Sequence, residues 1–389
     1  MRGTRAALFT LALLLGCRER AETLASGLSP ASTPAPTVHG ARVHTRELLS
    51  PVWHVDRIYK SMKGPQVTED VALAPGGDVE LLWIVGFEAV MVAADGVTPA
   101  SQEFMCHTNL DVEPVAHMTL FPGKKRLSGR LFTLSQGQER IDLPAGFGLP
   151  VLSSEIVQLN TQVLNLNMRE GEVTVRHRVM VRFVRDAELA APLQALYPAG
   201  AYGLKLLRGE DGRHGVDASA GEHGPSCLPG EAAAEGEYDD GKGRAFTGHW
   251  VVKPGREVNR TRVTDILELP FDTTLHYVAV HLHPFAESLE LRDLTTGTTV
   301  YRATTRQAER GIGLAHVDFY ASAAGLPLYR GHEYEVVSVY DNTSGEDQDS
   351  MAVLNLYLLD REFEKPDLAK VRAELGDERP TPTAAPRPM

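Results

Sequence analysis

No concentrated basic tract occurs in this chain: 39 Lys+Arg stand against 51 Asp+Glu, for a formal net charge of −12. Phosphate backbones repel such a surface, so nucleic acid is not an expected partner. Long amphipathic helices are missing too, apart from one candidate at Pro366 to Leu375, and no internal repeat of fixed period stands out. The N-terminal apolar stretch, Ala6 to Gly16, is too short to cross a bilayer. Cysteine is scarce, with three residues: Cys17, Cys106 and Cys227.

What the chain does contain is strand-like patterning. Leu81 to Val92, Glu172 to Val184, His276 to His283, Glu333 to Tyr340 and Met351 to Leu359 carry β-branched and aromatic residues at short spacing. Pro-Gly and Thr-Gly turns separate them, as at Pro122-Gly123, Pro254-Gly255 and Thr296-Gly297. Many short strands with frequent turns predict an all-β chain of antiparallel sandwiches. The expected organisation is a sandwich over 49–190, a Gly/Glu-rich insertion over 208–246, a second sandwich over 247–362 and a tail over 363–389. Its last stretch, Pro380 to Met389, has the composition of chain without fixed structure.

The first residues read as a targeting segment. Arg2 and Arg5 precede the apolar stretch, and Leu14-Leu15-Gly16-Cys17 resembles a bacterial lipobox, in which cleavage before Cys17 leaves it as the lipid attachment point. An ordinary secretory signal that contains a cysteine is the alternative. Residues 18–48 then read as a flexible tether, and the expected address is the periplasmic side or surface of a bacterial membrane. Export leaves Cys106 and Cys227 as an even pair in an oxidising compartment; a disulfide between them is one reading, unpaired thiols the other.

The chemistry-bearing pattern is His281-Leu282-His283, at the end of an alternating run, with Met351 far downstream in Asp349-Ser350-Met351. Residues i and i+2 of a strand project from one face, so both imidazoles can reach one ion. A thioether from a neighbouring strand adds a soft ligand, and sulfur with imidazole suits Cu(I). Tyr277 and Ala279 share the face of the two histidines while Val278, Val280 and Leu282 make the other face apolar, so the histidine face is expected to line a pocket or an interdomain cleft. Parity places His276 on the opposite side. His177, between Arg176 and Arg178, is expected to be solvated.

Several segments in order carry a family resemblance. They are Phe104-Met105-Cys106, the strand-like Val115-Ala116-His117-Met118-Thr119-Leu120-Phe121, Leu143 to Gly148, Gln162-Val163, Val251 to Val258, the His-x-His pair and Met351. Over roughly residues 80 to 360 the chain resembles the ascorbate-dependent type II copper monooxygenases, the family of peptidylglycine α-hydroxylating and dopamine β-monooxygenases. The resemblance implies two jelly-roll-like sandwiches side by side, with copper held by His281, His283 and Met351. It also implies a disulfide-bonded role for Cys106 and a place for Gln162 on the path between two copper sites.

The chain departs from that pattern at the other copper site. Two of its three expected histidine positions are occupied by Ala116 and Leu164, leaving His117, with His107 as a candidate replacement ligand. Ala279 stands where amidating members carry an arginine for the substrate carboxylate, so peptide amidation is not supported. The leading expectation is therefore a lipid-anchored, copper-binding monooxygenase-like protein. It would use dioxygen, ascorbate or another reductant, and an unidentified small-molecule or peptide substrate. A non-catalytic copper-buffering lipoprotein and an envelope interaction module are the rivals.

Overall fold

The computed structural model describes residues 37–61, 63–121, 128–209, 212–213, 237–239, 243–375 and 387–388. The lipobox with Cys17, the tether up to residue 36, Cys227 and most of the 208–246 insertion lie outside the described residues. The chain is all-β, two antiparallel jelly-roll-like sandwiches side by side.

In the first sandwich, β1 (His44–Leu49), β3 (Leu81–Ala93), β6 (Phe147–Leu152) and β8 (Val173–Arg185) lie in one sheet. Facing them are β2 (Gln66–Ala72), β4 (Met105–Val112), β5 (Arg130–Ser135) and β7 (Ile156–Val163). In the second, β12 (Thr273–Leu282), β16 (Tyr320–Leu328) and β19 (Ala352–Leu359) oppose the sheet of β11 (Gly255–Arg262), β13 (Ala286–Asp293), β14 (Thr298–Gln307), β15 (Leu314–Val317) and β17 (Tyr334–Asn342).

The two halves are sewn together by β9 (Gln194–Tyr202). It pairs antiparallel with β19 and, over two residues, parallel with β6. One ten-stranded sheet therefore runs through both sandwiches, in the order β16-β12-β19-β9-β6-β3-β8-β1, with two short strands completing it. Alternation then gives this sheet two buried faces. Val278, Val280, Leu354 and Leu356 enter the second core, while Tyr277, Ala279 and Tyr357 turn to Phe87, Phe132 and Leu134 of the first half.

That seam is specifically paired. Tyr357 donates its hydroxyl to the Leu131 carbonyl at 2.9 Å, and its ring stacks on Phe132 at 5.6 Å. Gln138 donates to the Tyr277 hydroxyl at 3.2 Å and accepts from the Val280 amide at 3.0 Å. Gly137, at φ +84°, donates no side chain to this turn because a Cβ there would meet Val317 Cγ2 at 2.8 Å.

Some expectations about local structure are corrected. Folded chain begins inside the expected 18–48 tether: His44–Leu49 pairs with β8, because its alternating burial gives an edge strand something to cover. Val115 to Phe121 is not a strand. Glu113 caps the amides of Val115 and Ala116 and Pro114 opens the first turn, so Pro114–His117 is a short helix followed by a 3-10 turn. His177 is fully buried rather than solvated, since its side of β8 faces the first core while Arg176 and Arg178 take the other. In the tail, Leu368–Leu375 is helical as its pattern predicted, and Arg387–Pro388 pairs with Thr68 and Val67 rather than lacking fixed structure.

Candidate metal centre

The His-x-His pair ends β12, beside the start of β19. His281 is paired with Val353 and Leu282 with Ala352, so continuing that register brings Met351 opposite His283. Directly paired residues share a face, which puts His281, His283, Met351 and Val353 on one side while Leu282 and Leu354 go to the apolar core. The two imidazoles stand edge to face, 5.3 Å between centroids and 89° between planes. Tyr340 ties the strands together at this point. Its hydroxyl accepts from the His283 amide at 3.3 Å and donates to the Met351 carbonyl.

This face meets the first sandwich across a narrow cavity of about 10 Å³, room for about one water-sized molecule. From the second sandwich it is lined by His281, Met351, Val353 and Asn355; from the first by His107, Asn109, Arg130 and Thr133. His107 arrives through β4, where the ladder pairs it with Gln162 on one side and Ser135 on the other. The residues are deeply set: exposure is 7% for His281, 6% for His283, 2% for His107 and 1% for Met351. Arg130 is anchored by Asp111, with Nη2 3.3 Å from Oδ2, and Asn160 donates to the same carboxylate oxygen at 2.7 Å.

Burial decides the protonation of these imidazoles. It holds His281 well below the usual histidine range, and the neighbouring His283, His107 and Arg130 push the same way. Burial likewise lowers His107 to about 3, with Arg130, His177 and His283 adding to the effect. Both rings are therefore neutral at physiological pH and keep a lone pair, as a metal ligand requires. His281 Nδ1 is buried without a hydrogen-bond partner among the described residues. An orphaned imidazole nitrogen beside a second imidazole and a thioether is a donor set that fits Cu(I).

A further group had no signal in the sequence. His249 precedes β10 (Trp250–Val252), which pairs with β18 (Gln348–Ser350). This small ladder sets His249 Nε2 3.1 Å from Asp349 Oδ2, while His283 Nδ1 lies 3.5 Å from the same oxygen and 3.2 Å from the Asp349 carbonyl. Burial alone would raise the Asp349 carboxyl. Hydrogen bonds from His249 and His283 and their positive charge outweigh it and hold the group well below the carboxylate range. His249 is one hundred residues from Asp349 in the chain, so spacing carried no hint of the contact.

The remaining expected site residues fall elsewhere. His117 is buried outside the cavity lining, its Nδ1 2.7 Å from Glu155 Oε2 and its ring 5.3 Å from Phe121. Gln162 lies one strand from His107, its Nε2 donating to the Gly64 carbonyl at 3.0 Å. Cys106 is buried in β4, and the pairing with Cys227 lies outside the described residues. His276 contacts Phe147 at 4.1 Å and the Ser322 carbonyl at 3.0 Å, away from the cluster.

No family model and no curated protein matches the chain. Among solved structures, it is similar to the major capsid protein P2 of bacteriophage PM2 at 9% identity, over 82% of this chain and 100% of that one, with a TM-score of 0.28. It is similar to PNGF-II at 7% identity, over 83% of this chain and 66% of that one, with a TM-score of 0.30. A third, infectious bursal disease virus Gt strain, is 8% identical over 85% and 76% of the two chains, with a TM-score of 0.18. Likeness at this level carries no argument about function.

Proposed function

We propose that this chain binds a single copper ion where its two sandwiches meet, held by His281, His283 and Met351, with His107 supplied from the opposite sandwich. The observation that carries the reading is the convergence of His107, His281 and Met351 on one cavity, from strands far apart in sequence. The His281 and His107 imidazoles are neutral and the sulfur is buried, which favours the reduced ion. Holding copper, rather than turning over with it, is the function this arrangement supports best. His117, the one histidine retained from the family's electron-delivering site, is engaged with Glu155 and stands apart from the cavity.

A second reading is monooxygenase-like hydroxylation with ascorbate or another reductant, which the family resemblance and the polar cavity wall both favour. Copper held there would supply dioxygen binding and one-electron redox chemistry. The chain itself supplies Arg130, Asn109 and Asn355 around the same cavity, polar groups able to hydrogen-bond a water-sized molecule. Under either reading, attachment through Cys17 would place the site at a bacterial membrane.

Copper stoichiometry on protein loaded under ascorbate, followed by oxygen uptake, tests this. One tightly held copper per chain without oxygen consumption supports the holding function. One copper with ascorbate-dependent uptake that disappears in His281→Ala makes hydroxylation the function. No retained copper overturns both.

A further inference from the structure

We propose a second ion site beside the first: His249 Nε2, His283 Nδ1 and an Asp349 carboxylate oxygen form a three-ligand site for a divalent cation of the zinc or cupric type. It shares only His283 with the copper set, and contains no sulfur.

The geometry is that of ligands before an ion. The three donor atoms lie within 4.8 Å of one another, with His249 and His283 at 3.1 and 3.5 Å from Asp349 Oδ2. A tetrahedral ion with bonds of about 2.0–2.2 Å places neighbouring donors roughly 3.3–3.6 Å apart, so little movement separates the observed cluster from a coordinated one. The His249 and His283 rings stand at 78° to each other, 5.4 Å between centroids, and therefore converge rather than stack.

Donor chemistry separates this set from its neighbour. Two imidazoles and a carboxylate suit a borderline or hard divalent ion, whereas His281 and Met351 add sulfur and suit Cu(I). His283 has one nitrogen for each set, and filling both at once requires the ring to release its N–H proton to solvent and bridge as an imidazolate. Its Nδ1 is turned to Asp349, which leaves Nε2 for the copper side. Three protein donors leave a fourth position for water or a small anion.

The site is also built rather than incidental. Thr247 Oγ1 accepts from the His249 amide at 3.1 Å and donates to the His249 carbonyl at 2.8 Å. Ser350 donates to the Trp250 carbonyl at 3.0 Å, pinning the β10–β18 ladder that carries both His249 and Asp349. His249 and His283 are buried and Asp349 is nearly so. One carboxylate between two imidazoles is a donor set that selects a divalent ion.

The experiment titrates metal-stripped full-length protein with Zn(II), and separately with Cu(I) against a chromophoric chelator without oxygen. His249→Gln, Asp349→Asn and Met351→Leu are run alongside. One equivalent of Zn(II) is expected, with affinity reduced at least tenfold in His249→Gln and Asp349→Asn and unchanged in Met351→Leu. X-ray absorption of the wild-type zinc form should show nitrogen and oxygen scatterers and no sulfur, a readout that does not depend on any variant folding. Absence of zinc uptake, affinity unaltered in both carboxylate-side variants, or a sulfur shell would each overturn the second site. Failure of the copper reading has a different signature: Zn(II) binds as expected while Cu(I) does not.

Discussion

His281 and His283 meet edge to face, 5.3 Å between centroids, on the same side of one strand as Met351 on the next. Under the proposed copper reading, the thioether completes the ligand set that the two imidazoles begin. Met351→Leu keeps the volume of a side chain that is only 1% exposed, so stability should change by less than about 1.5 kcal/mol. Cu(I) affinity should fall at least tenfold, read by chelator competition. An unaltered affinity would remove Met351 from the ligand set.

The seam between the sandwiches should behave as core. Tyr357 is fully buried, stacked on Phe132 and bonded to Leu131. Tyr357→Phe deletes one hydrogen bond and should cost about 1 kcal/mol. Tyr357→Ala also leaves a cavity and should cost about 3–5 kcal/mol, the range for large aromatic truncations. Urea unfolding followed by circular dichroism distinguishes this from a loosely docked seam, for which both variants would sit near wild type.

Acid should weaken the fold through His177. Burial pushes its pKa to about 3, so the folded state holds the ring neutral while the unfolded chain protonates near 6.5. The unfolded state binds the extra proton between those values. Stability is thus full above about pH 6.5 and falls by up to about 1.4 kcal/mol per unit as pH drops toward 3. His107 contributes in the same direction. In His177→Leu the slope of the urea midpoint between pH 7 and 5 should be shallower than in wild type, and an equal slope would contradict the assignment.

Gly137 is predicted to be intolerant of substitution. Its backbone has φ +84°, and a Cβ would press on Val317 of the second sandwich at 2.8 Å. Gly137→Ala should destabilise by about 1–3 kcal/mol, from left-handed strain together with the displaced contact. Gly76, also at positive φ but with open space around it, is the control. Its alanine variant should show the strain component alone, and so a smaller shift in melting temperature.

Much of the fold was legible because strand alternation is local. The runs at 81–92, 172–184 and 351–359 predicted strands that the structure contains, and the two faces of Tyr277 to His283 were separable by parity. Parity failed where the ladder does: the register of β12 shifts between Leu275 and Tyr277, so the argument that placed His276 does not carry across that bulge. At Val115 to Phe121 the strand expected from the family resemblance is a helical turn. Glu113 and Pro114 form a helix start, and local capping outweighed the apolar pattern.

By itself the sequence determined which side chains share a face: His281 with His283 through the period-two geometry of a strand, and Leu282 with the core. Tertiary structure decided which faces meet. His107 reaches His281 only because β9 joins the two sandwiches into one sheet and brings β4 and β5 against β12 and β19. His249 reaches Asp349 only through the β10–β18 ladder, a pairing across about one hundred residues. The physical reason is range: backbone geometry dictates a residue's neighbours over a few positions, whereas long-range pairing is selected by packing of whole faces, which no local pattern encodes.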